Sequence, residues 1–294
     1  MTRTRTPPVY PALTLGVFAV SLAAIFIRLA DAPPLVIASY RMGIGAAVIS
    51  ALAGGVWLRG GLRDGSGFSR RDLPLLGFSS LCLALHFWFW IVSLDYTSVA
   101  SSVVLVTTNP FIVAVASRML WAEPLKRHTM VGIAIGVSGG LAIALGDLGG
   151  EGQIWGDFLA FLGAVAVVGY MLAGRMLRTH MPTMTYNSVV YTGAALLLIT
   201  GAVVSGESFT GYTTGTYAML VLLALIPQVV GHSLLNWSLA HVTATAVAVS
   251  VMAEPVIATV AAMPILGELP PLGSVVGGVL ILGGIYVAVR PRSA

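Results

Sequence analysis

The chain has 294 residues, of which 57% are hydrophobic and only 9% charged, and its mean hydropathy is +0.94. A water-soluble fold carries about a quarter charged residues, so a soluble domain is excluded and most of this surface must meet lipid. A single cysteine, Cys82, leaves no disulfide framework and no cysteine-based metal site, and the basic excess is small, 15 Lys and Arg against 11 Asp and Glu.

A bilayer core takes about 20 apolar residues per helix. On that scale the chain predicts an all-α membrane protein with ten transmembrane helices: Ala12 to Leu29, Leu35 to Leu58, Leu73 to Ser93, Ser98 to Leu120, Met130 to Leu145, Ile154 to Gly174, Tyr186 to Ser205, Thr216 to Asn236, Val242 to Met263 and Leu272 to Val289. The first run follows Arg3 and Arg5 and is long enough to span, which reads as a retained helix rather than a cleaved leader.

Several spans carry residues that lipid does not welcome. Arg41 lies in the run ASYRMGIGA of the second span. Its guanidinium can grip a carboxylate with two parallel hydrogen bonds, or reach the outer surface and pair with Asp31. Tyr40 beside it points to another face. The third span contains LHFWFWIV, with His86, Trp88 and Trp90; these form either an interfacial aromatic belt or a cavity wall whose rings meet an amphipathic solute or a cation. In the fourth span Asn109 precedes Pro110, and Glu123 stands at its end. The fifth reads GIAIGVSGG, with Gly132, Gly136 and Gly140 spaced for close helix packing, either within the chain or across a dimer. Tyr170 is deep in the sixth span, and the eighth ends in GHSLLNWS, with His232, Asn236 and Trp237. The ninth places Glu254 before Pro255, and Glu268 follows its end; the tenth has Gly273 and Gly277. Neither His86 nor His232 has a companion at a metal-ligand spacing, so no metal and no cofactor are expected.

Each proline lacks an N–H, which strands the carbonyl four residues earlier: Val106 for Pro110 and Val251 for Pro255. Lipid cannot satisfy such a carbonyl, so both breaks should face protein or a wet cavity. Glu254 is costly at that depth, and an ionisable group there is a site candidate by default, for proton coupling or for a substrate ammonium. A structural carboxyl that pins the helix is the plainer reading. Asn109 is either a substrate contact or a hydrogen-bonding tie between helices.

Lys and Arg collect on the cytoplasmic side of membrane proteins. With both termini inside, 13 of the 15 basic residues fall on the inner side, the others being Arg28 and Arg41. An even number of spans is therefore preferred. Sliding the sequence by 145 residues superposes Pro110 on Pro255, Glu123 on Glu268, Gly132 on Gly277 and Gly139 on Gly284. Two units follow, residues 1–149 and 150–294, each with five spans; an odd number makes the second insert upside down relative to the first, the inverted repeat of many secondary transporters.

On these residues the chain resembles the drug/metabolite transporter superfamily, in particular its EamA-type ten-helix exporters, over nearly its whole length. The likeness rests on the length, the span count, the repeated mid-helix proline followed by a glutamate (Pro110 and Glu123, Pro255 and Glu268) and Arg41 early in the second span. It implies a carrier of small polar metabolites, often amino acids, aromatic or otherwise amphipathic ones among them, exported across the plasma (inner) membrane by alternating access. Glu123 and Glu268 are candidate gates under this reading, and a monomer or homodimer in the lipid bilayer is expected, with no nucleic-acid partner. The alternatives are an uptake or exchange carrier for nucleobases or drugs, a channel, and a rhomboid-like protease suggested by the Gly-x-Ser-Gly match at Gly136 to Gly139. The only lysine, Lys126, has no phosphate-binding loop around it, which removes ATP-driven transport.

Overall fold

A computed structural model of the chain describes residues 8–58, 69–97, 99–124, 126–145, 153–266 and 272–289. Among these residues there are helices and connections and no strand. The helices are α1 (Val9–Ser21), α2 (Ala23–Leu29), α3 (Pro34–Leu58), α4 (Leu73–Ser93), α5 (Val99–Val106), α6 (Asn109–Trp121), α7 (Arg127–Leu145), α8 (Gln153–Leu177), α9 (Thr183–Val204), α10 (Thr214–Leu223), α11 (Ser233–Ser238), α12 (Ala244–Val251), α13 (Glu254–Leu266) and α14 (Leu272–Val289). A π-helical stretch, Ala224–His232, joins α10 to α11.

Seven helical runs among the described residues, two of them interrupted at Leu22 and at Met252–Ala253, are long and apolar enough to cross a membrane: Val9–Leu29, Pro34–Val56, Arg70–Ser93, Ile154–Leu177, Thr183–Val204, Thr214–Ser238 and Ala244–Ile265. The chain is a multi-pass membrane protein. The predicted fourth span is divided at Thr107 and Thr108 into α5 and α6, each too short to cross alone. The predicted fifth and tenth spans are the helices α7 and α14, which pack most extensively against one another.

The departures from straight α-helix have local causes. Ser21 Oγ donates to the Val17 carbonyl at 2.7 Å, a back-bond that bends helices, and α1 gives way to α2 one residue later. Ahead of α4, Ser69 and Asp72 form a reciprocal cap before Pro74. Pro227 has no N–H to give to Leu223, and the chain there adopts the wider π turn.

Glycines decide how closely α7 and α14 approach. A Cβ on Gly132 would strike the Gly284 carbonyl and Ala288, and one on Gly139 would come within 2.6 Å of the Gly277 carbonyl. Thr129 Oγ1 adds a hydrogen bond to the Ala288 carbonyl at 3.3 Å. This register runs the two helices antiparallel, and it uses the glycine stripe inside the chain. The other large contacts are α4 with α8 and α3 with α9, while α1 crosses the π stretch and α11. Gly16 lies against the Gly231 carbonyl, and Gly163 against that of His86.

Candidate functional site

A cavity of about 60 Å³ lies where α1, α2, α3, α4, α8, π-helical and α11 residues meet the two broken helices. Of the side chains singled out as binding or coupling candidates, Arg41, His86, Trp90, Asn109, Tyr170, His232, Asn236 and Glu254 line it. Trp88 and Trp237 do not. Trp88 is 41% exposed and stacks on Phe89; two residues beyond His86 is about 200° round an α-helix, so it points away from the wall that His86 and Trp90 form. Trp237, half-buried, rests on His241 with ring centroids 4.2 Å apart. The rest of the wall is apolar, with Val20, Val167, Met171, Leu235 and Val247 among it.

Arg41 does not reach the outer surface toward Asp31. It is 1% exposed, with its guanidinium 3.9 Å from the centroid of Phe87 and 5.8 Å from that of Trp90. Its Nε donates to Gln228 Oε1 at 2.9 Å, and its Nη1 has no hydrogen-bond partner in the protein. Tyr40, one residue earlier, turns outward and donates to the Phe209 carbonyl at 2.7 Å. The ring of His86 is nearly parallel to that of Trp90, with Nδ1 3.0 Å from the Gly163 carbonyl. The indole Nε1 of Trp90 is buried without a partner in the protein.

The two helix breaks meet across the site, with α6 packed on α12 and α5 on α13. Asn109 and Glu254 are the first residues of α6 and α13. Asn109 donates through Nδ2 to the Val106 carbonyl at 3.0 Å, the group stranded by Pro110, and Thr108 Oγ1 serves the Leu105 carbonyl at 2.7 Å. Asn109 Oδ1 is left buried without a protein partner. Glu254 lines the same cavity as Arg41, yet among the described residues the ion pairs are Arg175 with Glu123 and His180 with Asp72, so the two charges of the cavity do not pair with each other.

A polar layer backs the wall. Asn236 Nδ2 donates to Asn187 Oδ1 at 2.8 Å and to Tyr170 Oη; Asn187 Nδ2 donates to Ser233 Oγ at 3.0 Å. Away from the cavity, Glu123 pairs with Arg175 at the end of α8, whose guanidinium also covers the Trp121 ring at 4.7 Å. Glu268 lies outside the described residues. Ser138, the serine of the Gly-x-Ser-Gly match, is exposed on α7, bonded to the Ala134 carbonyl at 2.9 Å and absent from the cavity wall.

Sequence reasoning misses Gln228, Phe87 and Arg175. Gln228 is legible as a polar residue beside Pro227 within an apolar run, but it is uncharged and stands out less than the ionisable groups of the neighbouring spans. Phe87 looks like an ordinary apolar residue, and its contact with Arg41 comes from tertiary packing.

A bundle of apolar helices closed round a charged and hydrogen-bonding cavity is the build of a membrane carrier. The family model described as the EamA-like transporter family matches this chain twice, over residues 9–145 and 154–290. The chain belongs to the EamA-like transporter family, whose members are transporters and not enzymes. It is 26% identical to an uncharacterized transporter of Archaeoglobus fulgidus over 94% of both chains. It is 26% identical to the uncharacterized transporter YdfC of Bacillus subtilis, covering 73% of this chain and 71% of that one. A probable terminal-alkyne amino-acid exporter of Streptantibioticus cattleyicolor is 28% identical over 75% of this chain and 74% of its own. One solved crystal structure shares the fold with a TM-score of 0.78 at 19% identity, covering 96% of this chain and 97% of that one.

Proposed function

We propose that the protein is a secondary transporter that exports small polar metabolites, amino acids foremost, from the cytoplasm by alternating access. Ten spans form two five-helix units of opposite orientation, residues 1–149 and 150–294, with both termini on the cytoplasmic side of the plasma (inner) membrane. The twofold family match over 9–145 and 154–290 supports the duplication. The antiparallel run of α7 and α14 supports the inversion: a shift of 145 residues turns the contact of Gly132 with Gly284 into that of Gly277 with Gly139. The same shift relates the Asn109 and Glu254 breaks, and 13 of the 15 basic residues favour the stated orientation.

The observation that carries the substrate class is the presence of both unmet donors and acceptors on side chains that line one cavity. Arg41 Nη1 and Trp90 Nε1 are donors without protein partners, fitted to a carboxylate. Asn109 Oδ1 and the Glu254 carboxyl supply the acceptors that an ammonium requires. The apolar wall of Val167, Met171, Leu235 and Val247 suits an apolar side chain. A neutral amino acid is a zwitterion of that pattern, and the relative named as a probable amino-acid exporter is consistent with it. Glu254 also offers the site for proton coupling, since it is the carboxyl of the cavity wall.

Counterflow in proteoliposomes tests the proposal. Vesicles preloaded with one of a panel of neutral amino acids should take up the labelled species saturably and faster than empty vesicles. Uptake that neither saturates nor responds to internal solute would instead describe a pore.

A further inference from the structure

The π-helical stretch Ala224–His232 has a consequence for the cavity that neither the family match nor the relatives' names assign. Its Gln228 is fully buried, and its Oε1 accepts from Arg41 Nε at 2.9 Å. Four residues on, His232 meets the Phe87 ring nearly perpendicular to it, with centroids 5.4 Å apart. That ring carries the Arg41 guanidinium on its face at 3.9 Å. One wide helical turn thus holds Arg41 from two sides, directly through Gln228 and indirectly through His232 and Phe87. π turns of this kind recur at functional sites because they shift side chains out of α register.

Room for Gln228 is made by Gly45, one helical turn beyond Arg41 on α3. A Cβ there would come within 2.9 Å of Gln228 Cγ. With Nε occupied, turning the guanidinium would break that bond, and Nη1 is buried without a protein partner on a side chain that lines the cavity. A long flexible side chain is thereby held in one placement, which lowers the ordering cost of binding.

We infer that Gln228 is a positioning residue that aims Arg41 at the carboxylate of a zwitterionic substrate, and that Gly45 is the space that permits it. The inference rests on the proposed reading of Arg41 as the carboxylate site. Gln228 does not touch the substrate in this scheme; its effect is confined to ligands that carry a carboxylate.

The experiment compares amino acids with their decarboxylated amines. Wild type, Arg41→Met, Gln228→Met, Gln228→Glu and Gly45→Ala are reconstituted. Counterflow is driven by leucine, phenylalanine and the remaining neutral amino acids, and competition is measured for leucine against 3-methylbutylamine and for phenylalanine against phenethylamine. Gln228→Met keeps the size and removes the acceptor. It should weaken competition by the amino acids about tenfold or more, the scale of one hydrogen bond to a charged group, while the amines change by less than about twofold. Gly45→Ala should reproduce this selective loss in milder form. Gln228→Glu keeps an acceptor for Nε yet neutralises Arg41, and should also lose the amino acids selectively.

Equal losses for amino acids and amines in Gln228→Met and Gly45→Ala would make Gln228 a structural residue and overturn the inference. So would a Gln228→Met protein that competes like wild type while Arg41→Met loses the amino acids; the carboxylate reading of Arg41 would then stand alone. If Arg41→Met spares the amino acids, or no neutral amino acid shows counterflow in wild type, that reading fails and the inference falls with it. Should Gln228→Met not fold, Gly45→Ala and Gln228→Glu decide by the same comparison.

Discussion

Asn109 folds its own side-chain amide back onto the carbonyl of Val106 at 3.0 Å. The bond repairs the gap that Pro110 opens, with a donor supplied from the residue just ahead of the proline. Asn109→Leu keeps the branching and heavy-atom count of the side chain, removes that donor and strands a buried carbonyl, which costs about 1 to 3 kcal/mol. Thermal unfolding of the purified variant in detergent should show this loss. Wild-type stability would mean that water or a neighbour serves Val106 equally well.

The equivalent break places Glu254 ahead of Pro255. A carboxylate has no proton to offer the Val251 carbonyl, whereas a carboxylic acid has one. Glu254→Gln carries a permanent donor of similar shape and stands in for the protonated form. The variant should insert and fold, and its transport should lose the pH dependence of wild type. A pH profile superimposable on that of wild type would remove Glu254 from coupling.

Close approach of α7 and α14 depends on Gly132, Gly139 and Gly284. The obstacles to a larger side chain are backbone atoms, which cannot step aside as a flexible side chain can. Gly139→Leu should therefore abolish recovery of monodisperse protein, since overpacking a well-packed core costs about 1 to 3 kcal/mol, and here backbone blocks relaxation. Gly283→Leu, on the exposed side of α14 where a Cβ would meet no heavy atom within 4 Å, should be recovered normally. Size-exclusion profiles after membrane extraction read both outcomes, and normal recovery of Gly139→Leu would contradict this packing.

Glu123 and Arg175 join the connection after α6 to the end of α8, so the pair ties the first half of the chain to the second. Both side chains are about one-fifth exposed, 20% and 21%, and such a pair is worth at most about 1 kcal/mol. Glu123→Gln should raise labelling of a cavity cysteine from the cytoplasmic side by up to about fivefold. Arg175→Gln should do the same, and the double variant should add little, because one interaction is being removed twice. Additive increases would assign the two residues separate roles.

Much of the architecture is readable from the residues alone. The third and tenth predicted spans match α4 and α14 at both ends, because runs bounded by charge or proline state their own limits. The fourth and ninth spans read as helices interrupted by proline, and the interruptions fall at Thr107–Thr108 and Met252–Ala253. The turn from α to π at Ala224 is not readable, since Pro227 announces a disturbance and not its form. For the same reason nothing in the sequence marks Gln228 as a partner of Arg41. Trp88 groups with His86 and Trp90 by proximity in sequence, and helical periodicity separates it from them. Arg41 has two open readings in the sequence, and tertiary partners on α4 and the π stretch remove the one that takes it to the outer surface.

Alternating exposure of the cavity is the claim on which the transport scheme depends. Val167, on the cavity wall, replaced by cysteine in a Cys82→Ser background, can be challenged with a membrane-impermeant thiol reagent from either side of oriented vesicles. The scheme predicts labelling from both sides, with an imposed amino-acid gradient raising one at the expense of the other and no leak of the reagent across the membrane. Labelling from one side only under every gradient, or passage of the reagent through the protein, would contradict it.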